Sequence, residues 1–115
     1  MDENDLDFRL RVNCEHDFDQ VRKWFRESWT DFGIDWIGTK NSGTTAENWI
    51  EIQENDEYDP SLTKTTEGWF YYPYIIDVIF KKRSGSVDDV KKQQDLAQKI
   101  MSRLEEVGCS VKLIS

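Results

Sequence analysis

The sequence predicts an α+β domain, and three observations support that class. Apolar and polar residues alternate over residues 6–13, which is typical of a strand with one buried and one exposed face. Two other segments, over about 18–31 and 87–107, place apolar residues at helical spacing. The length of 115 residues is near the commonest size for one domain, so residues 1–115 are expected to form a single domain.

The first helix has a recognisable start and stop. Asp17 followed three residues later by Gln20 matches a capping box, in which each residue satisfies a backbone N–H of the other. Gly33 can adopt the left-handed conformation that often ends a helix. A helix over about 18–31 is therefore expected to follow the first strand.

The middle of the chain predicts more strands and one long loop. Residues 34–37 and 48–53 have strand character, and the turn-forming residues 41–45 between them suggest a hairpin. Residues 54–68 are polar and acidic, which indicates a long loop of a kind that is often functional. Residues 69–82 are rich in aromatic and β-branched side chains, so they predict the longest strand, interrupted near Pro73 because proline cannot donate a ladder hydrogen bond.

The last third predicts a helix and a closing strand. Ser86 is a candidate cap, Asp88 and Asp89 suit the first turn of a helix, and Gly108 suits its end. Residues 109–114 then alternate again. The resulting β-α-β-β-α-β order is the ferredoxin-like plan, a two-layer sandwich with both helices on one face of an antiparallel sheet, here with an extra strand or hairpin near 34–53.

This plan makes a specific statement about the two cysteines. The first and last strands are antiparallel neighbours in it, which places Cys14, just past the first strand, beside Cys109, at the start of the last. We therefore expect the two thiols to lie close together.

The charge balance limits the classes of partner. The chain carries 23 acidic and 15 basic residues, a formal charge of −8, which repels nucleic-acid phosphates and anionic membranes and favours a basic partner. No apolar run approaches the roughly 20 residues that span a bilayer. The acidic residues 1–5 are unlike the basic start of a signal peptide, so a cytoplasmic location is expected.

The sequence gives little support for a catalytic site or a metal-binding site. His16 lies beside Cys14, but the surrounding carboxylates oppose a thiolate, and a structural zinc site usually needs four ligands. The acidic run at 54–59 lacks the spacing of a calcium loop, and the acidic turn at 13–17 is unsuited to an anion cradle. The long strand lacks an RNA-binding signature. We expect no catalytic residues, no metal and no cofactor.

An excess of aromatic residues points to binding. The chain has 15 aromatic residues, five of them Trp, and the long strand is apolar on both faces near Ile75 and Ile79. Aromatic residues are enriched in the binding hot spots of interfaces. The sequence therefore predicts a non-catalytic protein-binding domain, an antagonist of the immunity-protein or inhibitor kind that occludes a basic, nucleic-acid-binding or nuclease-like protein. The candidate partner-binding residues are four aromatic and four acidic side chains: Trp36, Trp49, Trp69, Tyr71, Glu54, Asp56, Glu57 and Asp59.

Other interpretations of the same residues stay open. The aromatic face could form a homodimer in a self-associating structural or regulatory domain, or a pocket beside the long strand could bind a small ligand. A core larger than expected, with the second face covered by the chain's own loops, accounts for the rings equally well.

Overall fold

The computed structural model describes residues 6–28, 34–36, 41–81 and 87–114. The strands in these ranges are β1 (Phe8–Asn13), β2 (Asp35–Trp36), β3 (Ser42–Thr44), β4 (Asn48–Glu54), β5 (Tyr74–Phe80) and β6 (Ser110–Ile114). The helices are α1 (Phe18–Ser28) and α2 (Val87–Glu106), and a short 3-10 helix spans Gly68–Tyr71. The chain is α+β, as the sequence predicts.

The six strands form one antiparallel sheet. Their order is β2-β3-β4-β5-β1-β6, and β5 pairs with β1 on one side and β4 on the other. The register aligns Leu10 of β1 with Ile76 of β5 and, across the next pair, with Ile52 of β4. Because β5 is hydrogen-bonded along both edges, it is well suited to the run of apolar residues found there.

The core lies between the sheet and both helices. Alternate residues of β1, β4 and β5 form one cluster with the apolar stripes of the helices, so α1 and α2 cover the same face of the sheet. The fully buried members include residues from every layer: Leu10, Val12, Phe25, Ile50, Ile52, Ile76, Val78, Ile100 and Leu104.

The capping box at the start of α1 is confirmed. The backbone N–H of Gln20 donates to Asp17 Oδ1 at 2.8 Å, and the backbone N–H of Asp17 donates to Gln20 Oε1 at 3.3 Å. Gly108 follows α2 with a φ of 89°, the left-handed conformation expected after a helix. The predicted stop at Gly33 and the predicted cap at Ser86 lie outside the described residues.

The extra strands expected near 34–53 are present, but residues 34–37 and 48–53 do not pair with each other as a hairpin, because a third strand lies between them. Residues 42–44, expected to form a turn, are β3, which pairs with β2 on one side and β4 on the other. Gly43 faces the core here, and a Cβ at this position would lie 2.7 Å from Ile34 Cγ2 and 3.0 Å from Trp36 Cε3. The glycine that signalled a turn is used for close packing.

Two further expectations are corrected. Residues 69–71, predicted to begin the long strand, form the 3-10 helix, and β5 begins only after Pro73. Val107, at the end of the segment 87–107 whose apolar residues have helical spacing, lies just after α2 and is exposed. Gln93 is almost fully buried on the apolar side of α2. Of the other α2 residues that helical spacing predicts to be buried, Ala97, Ile100 and Leu104 are buried.

Among the described residues, no helix combines the length and the apolar character needed to cross a membrane.

Candidate protein-docking surface

The face of the sheet opposite the helices contains most of the candidate residues. Side chains alternate along each strand, so this helix-free face is formed by the residues between the core positions. Its members on the three central strands are Arg9, Arg11, Trp49, Glu51, Gln53, Ile75, Asp77 and Ile79. Neither α1 nor α2 packs on it, because both contribute to the core on the opposite face.

Residues 55–73 form a lobe that leaves the sheet after β4 and returns at β5. Asn55 anchors it from a buried position: its Nδ2 donates to the carbonyl oxygens of Phe70 at 2.9 Å and Tyr72 at 2.7 Å, and its backbone N–H donates to Pro73 at 2.8 Å. These bonds close the base of the lobe. The segment predicted to be a long loop is thus held by its own side chains.

The lobe covers one end of the helix-free face. Arg11 Nη1 donates to the carbonyl oxygen of Phe70 at 3.0 Å, and its Cζ lies 4.9 Å from the centroid of the Phe70 ring and 5.9 Å from that of Trp69. Ile75 is buried here too. Desolvation by burial, and then the nearby charge of Arg9, lower the pKa of Arg11. The expectation that Arg11 faces water is therefore wrong, because the lobe shields it.

The other end of the helix-free face remains uncovered by the described residues. Trp49 and Ile79 lie directly opposite each other on β4 and β5, and they are 47% and 48% exposed. Lys81 Nζ lies 5.2 Å from the centroid of the Trp49 ring. The exposed indole of Trp49 and the exposed side chain of Ile79 form an apolar patch that the described residues leave open to solvent.

A polar network separates the two ends. Arg9 Nε donates to Asp77 Oδ1 at 2.6 Å and Arg9 Nη2 donates to Asp77 Oδ2 at 3.1 Å, while Gln53 Nε2 donates to the same Oδ2 at 2.8 Å. The hydrogen bonds with Asp77 raise the pKa of Arg9. The centre of the face is polar, and the charges of Arg9 and Asp77 are paired with each other.

The lobe presents carboxylates and rings together. Glu54, Asp56 and Glu57 are exposed, whereas Asp59 is half-buried and its Oδ1 accepts hydrogen bonds from the backbone N–H and the hydroxyl of Ser61 at 2.9 and 2.6 Å. Three of the four predicted carboxylates are thus available to solvent. The fourth closes a local turn.

Two exposed rings of the lobe were missed by the sequence reasoning. Tyr58 and Phe70 are the exposed aromatic residues of the lobe, while the predicted Trp69 and Tyr71 are half-buried. Assigning 69–71 to a strand hid Phe70, because strand alternation placed it with the core. Only the geometry of the 3-10 helix reveals its exposure.

Trp36 lies away from the other candidates. Its indole contacts Phe25 edge-on, with ring centroids 5.4 Å apart, and Arg26 Cζ lies 5.4 Å from the Trp36 ring. These contacts place Trp36 on the helix-covered face. The structure brings five predicted residues together in the lobe: Asp56, Glu57, Asp59, Trp69 and Tyr71. Trp69 lies beside Arg11 on the face of the sheet that also carries Trp49. Glu54 adjoins the lobe at the end of β4, where strand alternation places it on the same side as the core residues Ile50 and Ile52.

A metal site and a ligand pocket were also considered. Within the described ranges, no three His, Cys, Asp or Glu side chains are placed to share a metal ion. A mainly apolar cavity of about 270 Å³ lies between the helices at the end of β1, just below the usual size range of ligand pockets.

Compared with known proteins, the chain matches no family model, no curated protein and no solved structure.

Proposed function

We propose that this chain is a non-catalytic, acidic protein-binding domain that docks onto a basic protein through the lobe and the adjoining helix-free face. The observation that carries the proposal is the lobe itself. A hydrogen-bonded scaffold holds the exposed rings of Tyr58 and Phe70 beside the exposed carboxylates of Glu54, Asp56 and Glu57. A partner would contact these exposed rings and carboxylates.

The two kinds of side chain have different roles in this proposal. Carboxylates on a chain of charge −8 attract a basic partner over several ångströms and raise the association rate. Aromatic rings supply contact energy once water is excluded. A partner with a nucleic-acid-binding or nuclease-like surface offers the matching basic charge, so we propose an antagonist of the immunity-protein or inhibitor kind that occludes such a surface.

The proposed surface has the size of one ordinary interface. Trp49 lies five residues before Glu54 on β4, about 17 Å along the strand. A standard interface covers about 800 Å² on each partner, a patch about 30 Å across. One partner could therefore contact Trp49, Ile79 and the lobe at the same time.

The topology supports assigning the fold to the ferredoxin-like class, which we propose as its classification. Four adjacent strands, β6-β1-β5-β4, are antiparallel, with one helix following β1 and one following β5. The short strands β2 and β3 extend the sheet beyond β4. We also propose a cytoplasmic location, in keeping with the acidic composition of the chain.

The experiment is affinity capture from an extract of the organism that encodes the chain, with two matched variants. The first carries Glu54→Gln, Asp56→Asn and Glu57→Gln in and beside the lobe. The second carries Asp95→Asn, Glu105→Gln and Glu106→Gln, which removes the same charge from exposed positions of α2. Quantitative mass spectrometry compares the captured proteins.

We expect one basic protein to be retained by the parent and by the α2 variant, and to be lost with the lobe variant. Equal capture by both variants would contradict a role for the lobe, as would the absence of any protein enriched by the parent. Light scattering after size exclusion tests the alternative, because a stable homodimer that buries Trp49 would favour self-association.

A further inference from the structure

The two cysteines occupy opposed positions across neighbouring strands. The register of β1 and β6 pairs Asn13 with Ser110, and its continuation places Cys14 opposite Cys109. Opposed residues of antiparallel strands have Cα atoms about 4.5–5.5 Å apart, which lies inside the span of about 4.4–6.8 Å seen in disulfides. Both thiols are free, and both line the same cavity. The prediction that Cys14 and Cys109 lie close together is confirmed.

The surroundings give the two thiols unequal access. Both line the cavity of about 270 Å³, together with His16, Val21 and Leu104 among others. Cys14 is half-buried, whereas Cys109 is only 7% exposed. Burial, and then the neighbouring Cys14, raise the pKa of Cys109 to about 12, so its sulfur is protonated near neutral pH. A small oxidant entering the cavity therefore reaches the Cys14 sulfur more readily than the buried Cys109 sulfur.

We propose that Cys14 and Cys109 are a redox modification site, forming a reversible intramolecular disulfide when the protein meets a hydroperoxide. Cys14 Sγ attacks one peroxide oxygen, the O–O bond breaks, and the products are a Cys14 sulfenic acid and an alcohol or water. Cys109 Sγ then attacks Cys14 Sγ, the S–O bond breaks, and the hydroxyl leaves as water with the thiol proton of Cys109. Two thiols lose two electrons in all, and one peroxide is reduced.

The opposed placement of the two cysteines determines the product. A sulfenic acid with no thiol nearby is open to further oxidation to a sulfinic acid, whereas a sulfenic acid beside a thiol condenses with it to form a disulfide. The bond would join the end of β1 to the start of β6, which the sheet already holds side by side. This site does not depend on the proposed docking function.

The test uses the reduced full-length chain and hydrogen peroxide in native buffer. We expect both thiols to disappear together, the intact mass to fall by two hydrogen atoms, the chain to stay free of intermolecular links, and dithiothreitol to restore both thiols. The oxidised form should also melt roughly 10 °C higher, because a long loop is closed. Thiols that persist, a mass gain from added oxygen, or disulfide-linked dimers would each overturn the proposal.

Single variants test the order of events. In Cys109→Ser, Cys14 should form a sulfenic acid that dimedone traps; in Cys14→Ser, Cys109 should react at least about tenfold more slowly. Equal reactivity of the two isolated cysteines would overturn the assigned order. Circular dichroism checks that each variant is folded, and Cys109→Ala replaces Cys109→Ser if the buried hydroxyl prevents folding.

Discussion

At the scale of single residues, Tyr74 links the sheet to the turn before α1. Its hydroxyl donates to the carbonyl oxygen of His16. Desolvation raises the pKa of Tyr74 to about 12, with smaller contributions from Cys14, Asp17 and Glu54 among its neighbours. Because the folded-state pKa lies above the unfolded value near 10, the folded state retains the proton more strongly. This contribution to stability is complete below about pH 10 and is lost as the pH rises towards 12.

Replacing Tyr74 by Phe should therefore change the alkaline side of the stability profile. We expect Tyr74→Phe to cost about 1 kcal/mol at neutral pH, because the His16 carbonyl loses its donor. The variant should lose less stability than the parent when urea unfolding is repeated at about pH 11. The control is Tyr71→Phe, which leaves the bond to His16 in place. Identical alkaline losses in parent and Tyr74→Phe would contradict this account.

Gln93 shows where residue type misleads the reading of a helix. It falls at the spacing of the buried positions Ala97, Ile100 and Leu104, yet a polar residue was not counted in the stripe. In the fold its side-chain amide forms a reciprocal pair with Asn48, at 2.9 and 3.1 Å, and donates to the Leu6 carbonyl at 2.8 Å. Periodicity locates the position, but only the partner on β4 explains the glutamine.

The substitution Gln93→Leu should destabilise the protein by about 2–3 kcal/mol. Leucine fills a similar volume but leaves the Asn48 amide and the Leu6 carbonyl buried without their partner. Urea unfolding measures the loss, and Gln94→Leu, at an exposed position, serves as the control with a change within about 0.5 kcal/mol. A parent-like stability of Gln93→Leu would show that the pair contributes nothing.

At the scale of elements, the lobe depends on a glycine. A Cβ on Gly68 would lie 2.0 Å from the carbonyl oxygen of Thr63 and 2.4 Å from its carbon, and both are backbone atoms. Side chains cannot turn aside to relieve such a contact. The 3-10 helix and the preceding turns of the lobe are therefore packed as closely as the backbone allows.

Gly68→Ala should disturb the lobe without changing any charge. We expect a loss of about 2 kcal/mol in unfolding free energy and a loss of partner capture of at least tenfold, because the exposed rings shift with the lobe. Gly108→Ala is the control: its φ of 89° costs about 1 kcal/mol, but a Cβ there meets no neighbouring atom within 4 Å. Unimpaired capture by Gly68→Ala would separate the lobe from binding.

The sequence predicts most elements but not how they cover one another. Alternation and helical spacing locate β1, α1, β4, α2 and β6, because these patterns depend only on neighbours along the chain. They cannot show that residues 55–73 fold back over Arg11 and Ile75, which requires a contact between distant segments. For the same reason, Trp36 and Trp49 looked equivalent in sequence although they lie on opposite faces.

At the scale of the whole molecule, the helix-free face of the sheet has one end covered by the lobe and one end exposed to solvent. The lobe shelters its Ile75 end, which accounts for part of the aromatic excess without a partner. The Trp49 end and the outer surface of the lobe still present rings and carboxylates to solvent. The proposed docking surface therefore comprises these two regions.

The most direct measurement is the salt dependence of association between this chain and the basic protein that it captures. Stopped-flow fluorescence of the tryptophans would give the rate constant from about 0.05 to 0.5 M NaCl. We predict a fall of about tenfold or more for the parent, and a lower, flatter profile when Glu54, Asp56 and Glu57 are neutralised. An association rate constant that does not change with salt concentration would contradict electrostatic docking through the lobe. So would an equal reduction of the rate constant in the α2 variant and in the lobe variant.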